Sequence, residues 1–346
     1  MEAMRALLAG ITTLDVVHLL DHPLDPVTKT TSTDHMLAAG GPAANAALTI
    51  AALQRLEPAA SAAVADDTPA GKPADTAIDL LTTLGTGPVA HVLTEELTAA
   101  GVTPLDATAP GFEGEPAISS AIEHPDGRHV SSTDGRVPVD VAKAEAGLAR
   151  ALVNDGMPRT VLVDGHNPEL AQLALRVGLP ELDPDDPFAE ADAHPAHLRV
   201  YDGGSWRPWI PPLLPLIDVA MVSADYHPPM VAGFDGLVDF MAGFGVDRVI
   251  LTDGPGQVRY SWAGSRGTVD VTPRRAISTM GAGDIVHGAL AWGLSFIDEG
   301  GTDLSDPSRL ISMACEVAGI ATETFGTRAW MDDTRIADVV GEWLAG

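Results

Sequence analysis

Short apolar segments that end in Asp, Gly or Ser alternate along this chain with longer segments of helical periodicity. The clearest strand-like segments are residues 5–10, 160–165, 198–203, 218–223 and 247–254. The helix-like segments are residues 41–56, 168–178, 234–245 and 281–294. Strand and helix in alternation predict a doubly wound α/β sheet, and ligands of such sheets bind at the carboxyl ends of the strands.

Two pairs of segments depart from this alternation. Residues 15–35 and 116–133 are rich in Val, Ile, Thr and Ser, and the second contains a Pro-Asp-Gly turn between two candidate strands. They predict a small β-structure that stands off the main sheet. Residues 57–77 and 180–197 are rich in Ala, Pro and acidic residues without clear periodicity, and we interpret them as surface insertions. We expect a single domain over residues 1–346.

The charge of the chain restricts its partners. It has 48 acidic and 20 basic residues, a formal net charge of -28. Such a surface repels phosphate backbones and anionic lipids, so we expect neither nucleic acid nor a membrane as partner. The first residues lack a cationic segment followed by a long apolar run, and no apolar run reaches about 18 residues, so we expect a cytoplasmic protein.

One stretch, STMGAGDIVHGAL from residue 278, places a bare backbone turn and an acid at a helix start. The first N–H groups of a helix lack intrahelical partners and carry partial positive charge, so they attract anions. Gly281 and Gly283 would let an anion approach the backbone. Asp284 fits such a site if it removes a proton from a hydroxyl that attacks a bound phosphoryl group. A tight turn with an acid favoured by the helix dipole explains the same residues, and the stretch alone does not decide between the two.

The stretch resembles the carboxyl-terminal signature of the ribokinase-like (PfkB) carbohydrate kinases, which reads D-T-x-G-A-G-D before an apolar helix. Residues 40–48, GGPAANAAL, preceded by GITTLD at 10–15, resemble the amino-terminal signature of the same family. The two motifs stand in the family's order, and the resemblance covers nearly the whole chain except the two insertions. It implies a three-layer α/β/α core with a small β lid, formed by residues 15–35 and 116–133, over the sugar site.

The resemblance further implies transfer of the γ-phosphoryl group of ATP, with Mg²⁺, to a sugar hydroxyl. Its catalytic residues would be the base Asp284 and an anion hole of Gly281, Ala282 and Gly283. The sugar would contact Asp15, Gly41, Asn45 and His166, the last of which stands where many ribose-type kinases have a glutamate. The nucleotide would contact Thr252, Gly254, Thr279 and Gly326.

Three positions depart from the family pattern. Ser278 replaces the first aspartate of the signature, which in relatives contributes to a monovalent-cation site, so potassium activation is not implied. Asp225 and Pro228 stand where the family has the N-x-x-E element that organises Mg²⁺. Asp225 is therefore the one metal-site candidate, through a metal-bound water.

Two other functions stay open. A nucleoside kinase of the same fold is one, although the lid segments contain no aromatic residue of the kind that enlarges a nucleoside pocket. A sugar- or nucleotide-binding protein without turnover is the other: Ser278 and Pro228 suggest it, and the intact Gly-Ala-Gly-Asp opposes it. Relatives often dimerise through their lids, and the two lid segments are long enough to form a homodimer.

Overall fold

The computed structural model describes residues 5–25, 27–64, 77–133, 137–180, 195, 197–296 and 305–345. The strands, in chain order, are β1 (Arg5–Ala9), β2 (Thr13–Leu19), β3 (Asp34–Gly40), β4 (Ala77–Thr82), β5 (Val102–Asp106), β6 (Ala117–His124), β7 (Gly127–Ser132), β8 (Thr160–Val163), β9 (Leu198–Gly203), β10 (Val219–Ser223), β11 (Arg248–Thr252), β12 (Val258–Trp262) and β13 (Ser265–Val269). The α-helices are α1 (Pro42–Val64), α2 (Pro88–Ala99), α3 (Val141–Asp155), α4 (Pro168–Leu175), α5 (Gly233–Ala242), α6 (Ala282–Leu294), α7 (Ser308–Thr322) and α8 (Thr334–Leu344).

The main sheet has nine strands in the order β13-β12-β11-β10-β9-β8-β1-β4-β5. The strands from β11 to β5 are parallel, and β12 and β13 add an antiparallel edge. After β1 the chain builds outward through β4 and β5, then returns to the other side of β1 as β8. The crevice beyond the carboxyl ends of β1 and β8 is therefore the switch point at which ligands bind in doubly wound sheets.

Helices cover both faces of the main sheet. Successive residues of β1 point to opposite faces, so that Leu8 joins an apolar core shared with α1, α2, α6, α7 and α8. Its neighbour Leu7 joins a second core shared with α3, α4 and α5. The predicted three-layer α/β/α architecture is confirmed.

Helices α1 and α6 lie against each other with almost no side chain between them. A Cβ atom on Gly288 of α6 would stand 2.7 Å from the carbonyl oxygen of Ala46 in α1. The facing turns of α1 are built from fully buried alanines. This close approach brings Asn45, at the start of α1, beside Asp284, at the start of α6.

Four strands form a separate small sheet in the order β3-β2-β6-β7. The predicted β segments 15–35 and 116–133 supply β6, β7 and most of β2, but β3 extends from residue 34 to Gly40, beyond the predicted limit. Strands β2 and β6 pair in parallel, and the other two pairs are antiparallel. That this small sheet acts as a lid stays a prediction.

The two predicted insertions are described only in part. Residues 57–64 continue α1 as helix, and Ala77 already belongs to β4. The alanine-rich sequence of that segment favours helix over the irregular structure we expected. Residues 65–76 and 181–194 lie outside the described residues. That the two segments are insertions stays a prediction. None of the helices in the described ranges has the length and apolar character needed to cross a membrane.

Candidate active site

A cleft of about 520 Å³ opens at the switch point, between the carboxyl edge of the main sheet and the small sheet. Nine of the predicted site residues line it: Asp15, Gly41, Asn45, His166, Thr279, Gly281, Ala282, Gly283 and Asp284. The sequence analysis did not single out Arg128, Arg207 or Ser119, which line the same cleft. The amino-terminal and carboxyl-terminal motifs thus meet in one cavity.

The start of α6 is open toward the cleft. Gly281, the residue before the helix, has a φ of 70°, a left-handed conformation that favours glycine, and no side chain caps the helix. The Ala282 N–H turns back toward the Thr279 carbonyl oxygen at 3.4 Å. A Cβ on Gly283 would have no neighbour within 4 Å. An anion therefore has free access to the first-turn N–H groups.

Asp284 lies in the first turn of α6, at the floor of the cleft. The Asn45 Nδ2 group donates to its Oδ2 at 2.8 Å. Burial, followed by repulsion from Asp202, raises the pKa of the Asp284 carboxyl to about 7. A general base works best with a pKa near the operating pH, so this environment suits proton abstraction at neutral pH.

A buried ion pair lies behind Asp284. His287, one turn along α6, has its Nδ1 atom 2.8 Å from Oδ1 of Asp202 in β9, and both side chains are buried. Burial acts to lower the pKa of His287, but Asp202 and Asp284 outweigh it and leave that pKa raised. The two carboxylates therefore favour the protonated form of the imidazole, against the effect of burial.

Arg328 fixes the orientation of Asn45. Its Nη1 donates to Asn45 Oδ1 at 3.3 Å, which leaves the amide Nδ2 to face Asp284. The guanidinium is itself held by Glu96 of α2 at 2.9 Å and by the carbonyl oxygen of Ala39 in β3. Sequence reasoning gave this residue no role, although it lies within the stretch FGTRA, residues 325–329, to which the family resemblance extends.

Asp15 approaches the cleft from β2 of the small sheet. The Thr13 hydroxyl donates to its Oδ1 at 2.7 Å, and burial raises the pKa of the carboxyl. A Cβ on Gly40 would overlap the Asp15 carboxylate, which accounts for one glycine of the amino-terminal motif. Gly41 accounts for the other, because its φ is 94° and a Cβ there would stand 2.5 Å from the Ile11 carbonyl oxygen.

Asp164, immediately after β8, ties together the loops around the switch point. Its carboxylate accepts backbone N–H groups of Ile11 at 2.9 Å, Ala43 at 3.3 Å and His166 at 2.9 Å. The sequence carried a signal for it, since it ends a predicted strand as an acid. Its buried carboxylate holds the start of α1 and the His166 loop in place.

A second group of side chains lines the wall formed by the loops after β8 and β9. The Arg207 Nη2 atom lies 3.1 Å from His166 Nε2 and 3.2 Å from Nδ1. The Trp209 indole N–H donates to the Gly165 carbonyl oxygen at 3.0 Å, so this tryptophan anchors the loop and also lines the cleft. On the opposite side Arg128 of β7 donates to the Thr279 carbonyl oxygen at 3.4 Å.

The remaining predicted residues lie outside the lining of this cleft. Thr252 ends β11, and Gly254 sits in the exposed turn that follows it. Asp225 is exposed just beyond β10, the neighbour of β11. Gly326 is buried, and a Cβ there would meet Met36 Sδ at 2.6 Å. The roles proposed for these four residues stay predictions.

Ser278 stands where the family signature has an aspartate. Its side chain is buried, and its hydroxyl oxygen accepts the backbone N–H of Met280 at 3.3 Å. Within the described ranges, no group of three or more His, Cys, Asp or Glu side chains could hold a metal ion.

Comparisons with known proteins identify the fold. No protein-family model and no curated protein sequence matches the chain. A putative ribokinase from Agrobacterium tumefaciens has a TM-score of 0.68 at 17% identity, with 99% of both chains covered. Ribokinase from Giardia lamblia has a TM-score of 0.71 at 14% identity, covering 97% of this chain and 99% of that one. Arabidopsis thaliana ribokinase complexed with ribose and ATP has a TM-score of 0.65 at 15% identity, covering 98% and 99%.

These matches span whole chains, so the protein has the fold of the ribokinases and related sugar kinases. The resemblance predicted from the two motifs is confirmed at the level of the fold.

Proposed function

We propose that the protein is an ATP-dependent sugar kinase. The observation that carries this proposal is the position of Asp284. It lies directly beside the open start of α6, and its raised pKa suits a general base. Asp15 and Asn45 in the same cleft supply oxygen and nitrogen atoms that suit sugar hydroxyls. The similarity in fold to a ribokinase complexed with ribose and ATP supports the same conclusion.

In this proposal the acceptor hydroxyl lies between the Asp284 carboxylate and the phosphoryl group, which is bound at the N–H groups that begin α6. Its proton passes to the Asp284 carboxylate while its oxygen forms a bond to the γ-phosphorus of ATP, and the bond from that phosphorus to the β,γ-bridging oxygen breaks to release ADP. The N–H groups of Gly281, Ala282 and Gly283 would stabilise the phosphoryl oxygens. Arg128, beside Thr279, would add positive charge at the same point.

The nucleotide would lie along the carboxyl edge toward β10 and β11. Thr252, Gly254, Thr279 and Gly326 are the residues proposed to contact it. Mg²⁺ is commonly bound through one or two carboxylates together with substrate phosphates, and the exposed Asp225 is available for that role. When bound, the ion would neutralise phosphate charge.

A homodimer through the small sheet is part of the proposal. Leu37 on edge strand β3 and Val130 on edge strand β7 are 61% and 50% exposed. Apolar side chains on sheet edges are suited to contact a second copy. Leu37→Glu should convert a dimer to a monomer in sedimentation analysis, and a monomeric wild-type protein would contradict the proposal.

The test of the kinase is acceptor-dependent formation of ADP from ATP, measured over a panel of pentoses, hexoses, ketoses, sugar acids, sugar phosphates and nucleosides. Asp284→Asn should lower turnover of the active acceptor by about 10³-fold. The matched control is Asp239→Asn, an exposed aspartate on α5, which should retain wild-type turnover. Activity that survives Asp284→Asn would exclude the proposed base. Saturable sugar or nucleotide binding without turnover would favour a binding protein, and turnover with nucleosides alone would favour a nucleoside kinase.

A further inference from the structure

We infer that the acceptor sugar carries an anionic group, a carboxylate or a phosphate, and that Arg207 binds it. This inference rests on the proposed kinase function and specifies the substrate class of the same cleft. It comes from the wall of the cleft that neither sequence motif contains.

Arg207 is held in place before any ligand binds. It is half-buried in the loop after β9 and lines the cleft. Its Nη2 atom contacts the imidazole of His166, and its Cζ atom lies 5.8 Å from the centre of the Trp209 ring. Trp209 is in turn anchored by its bond to Gly165. A guanidinium fixed in this way loses little conformational entropy when it binds a ligand.

The charge of Arg207 is not neutralised by the described part of the chain. Within that part, Arg207 forms no ion pair with a carboxylate. Such pairs are formed in the same part by Arg199, Arg248, Arg266, Arg274, Arg328 and Arg335. The arginines Arg55, Arg128, Arg150, Arg259, Arg275 and Arg309 form none there either, but they are exposed to solvent, whereas Arg207 is half-buried. The net charge of the chain is -28, so a half-buried arginine without a carboxylate partner indicates a binding site for an anionic ligand.

A carboxylate close in sequence to His166 is already engaged in hydrogen bonds. Asp164 lies two residues before His166, but its carboxylate accepts three backbone N–H groups, from Ile11, Ala43 and His166. Of the guanidinium nitrogens, only Nη2 has a hydrogen-bonding contact within the described ranges. Nε and Nη1 are left to bind the two oxygens of a carboxylate or phosphate.

The position of Arg207 assigns this charge to the acceptor rather than to ATP. His166 follows β8, which pairs with β1, and the chain after β1 leads to Thr13 and Asp15 in the sugar half of the cleft. Two of the proposed nucleotide residues, Thr252 at the end of β11 and Gly254 just after it, lie two strands from β9. The opening of α6, where the phosphoryl group transfers, lies on the wall that carries Thr279 and Arg128.

The experiment compares matched acceptors that differ in one charged group. Glucose is paired with glucuronate, galactose with galacturonate, ribose with ribose 5-phosphate and fructose with fructose 6-phosphate. We expect kcat/KM to favour the anionic member by about 10-fold to 150-fold in the pair the enzyme uses, which corresponds to about 1.5–3 kcal/mol for a hydrogen bond to a charged group. The acid and phosphate arms distinguish the two sources of negative charge.

Arg207→Gln tests the residue. It should lower kcat/KM for the anionic acceptor by about 10-fold to 150-fold, change kcat/KM for the neutral partner less than about threefold, and leave the KM for ATP unchanged. Arg150→Gln, an exposed arginine on α3, is the matched control and should change none of these values. A neutral acceptor used as well as its anionic partner would overturn the inference, as would an Arg207→Gln variant that raises the KM for ATP alone.

The failure of the kinase proposal gives a different result. If no acceptor in any pair is phosphorylated, the proposed function is wrong, and titration calorimetry of the same matched pairs without ATP then tests Arg207 independently. Saturable binding of an anionic member that Arg207→Gln abolishes and Arg150→Gln preserves would support the inference. Equal or absent binding of both members would refute it.

Discussion

A carboxyl group whose pKa is raised by burial lies toward each end of the main sheet, but only the one at the carboxyl end faces a large cleft. At the carboxyl end, Asp284 has a pKa of about 7. Toward the amino end, burial, followed by repulsion from Asp155, raises the pKa of Asp79 in β4 to about 6. The raised pKa therefore indicates that both acids are poorly solvated, but only Asp284 is a candidate base.

What separates the two ends is the space and the charge around each acid. Asp284 faces a cleft of about 520 Å³ and lies at the start of a helix, where partial positive charge attracts an anion. Asp79 borders a cavity of about 10 Å³ beside the last residues of α3, where the helix dipole is negative. A perturbed acid becomes a useful site only where a ligand fits beside it and the surrounding groups can bind that ligand.

After Asp284→Asn, the largest expected effect comes from filling the anion opening of α6. Gly283→Ala adds a methyl group that meets no protein atom within 4 Å but enters the space assigned to the phosphoryl group. We expect kcat/KM to fall by about 100-fold or more, as for loss of one oxyanion donor, with the unfolding temperature retained. Gly147→Ala on α3 is the control, since the nearest atom to its Cβ is 3.9 Å away, and it should keep full activity. Unchanged activity in Gly283→Ala would show that no anion binds there.

The next effect comes from releasing the Asn45 amide. Arg328→Gln removes the donor to Asn45 Oδ1, so the amide loses its fixed orientation toward Asp284. We expect kcat to fall by about 10-fold to 30-fold while the KM for ATP stays the same, because the change acts on the base and not on the nucleotide. Arg309→Gln, on an exposed face of α7, should leave both constants unchanged. Unchanged kcat in Arg328→Gln would show that the orientation of Asn45 does not depend on this donor.

A smaller effect follows from the pKa of Asp284. The base must be ionised to accept a proton, so kcat/KM should decline as the pH falls through about 7 and reach about a tenth of its plateau near pH 6. Rates measured between pH 5.5 and 9 check this decline. Asp79→Asn should show the same acid limb, because Asp79 takes no part in proton transfer. An acid limb absent above pH 5 would rule out Asp284 as the titrating base.

The smallest effect is on stability at the amino end. The folded-state pKa of Asp79, about 6, exceeds the ordinary value of 3.8, so its ionisation opposes folding above pH 6. Asp79→Asn should therefore raise the free energy of unfolding by about 1 kcal/mol at pH 8. The gain should shrink as the pH falls through 6, where the native carboxyl becomes protonated, and vanish near pH 4. Urea titrations at the three pH values measure it, and a gain independent of pH would contradict the assignment.

The sequence predicted those parts of the fold that periodicity encodes. The five strand-like and four helix-like segments coincide with strands and helices of the structure, within a few residues at their ends. The limits of α1 and β3 were wrong by several residues, because an alanine-rich segment lacks an amphipathic pattern and a strand in a small sheet has weak alternation. The periodic pattern of apolar residues reflects which side chains of an element are buried, so the pattern is weak where burial along the element is uneven.

The motif residues of the site were predictable, and the residues that hold them were not. Asp284, Asn45 and Asp15 come from the two motifs and converge in the cleft. Arg207 and Arg328 lie in loops without periodicity, and only the folded chain brings them to His166 and Asn45. Long-range contacts of this kind leave no spacing in the sequence from which to infer them.

The contact of Gly288 with α1 has a consequence for altering the protein. Asn45 and Asp284 lie within hydrogen-bonding distance because the helices that carry them touch in the core, so the geometry proposed for the reaction depends on the hydrophobic packing. The wall that carries Arg207 belongs to the loops after β8 and β9, outside this helix contact. Under the proposed function, a change in the core contact would disturb the reaction itself, whereas a change in the loop wall would alter the choice of acceptor.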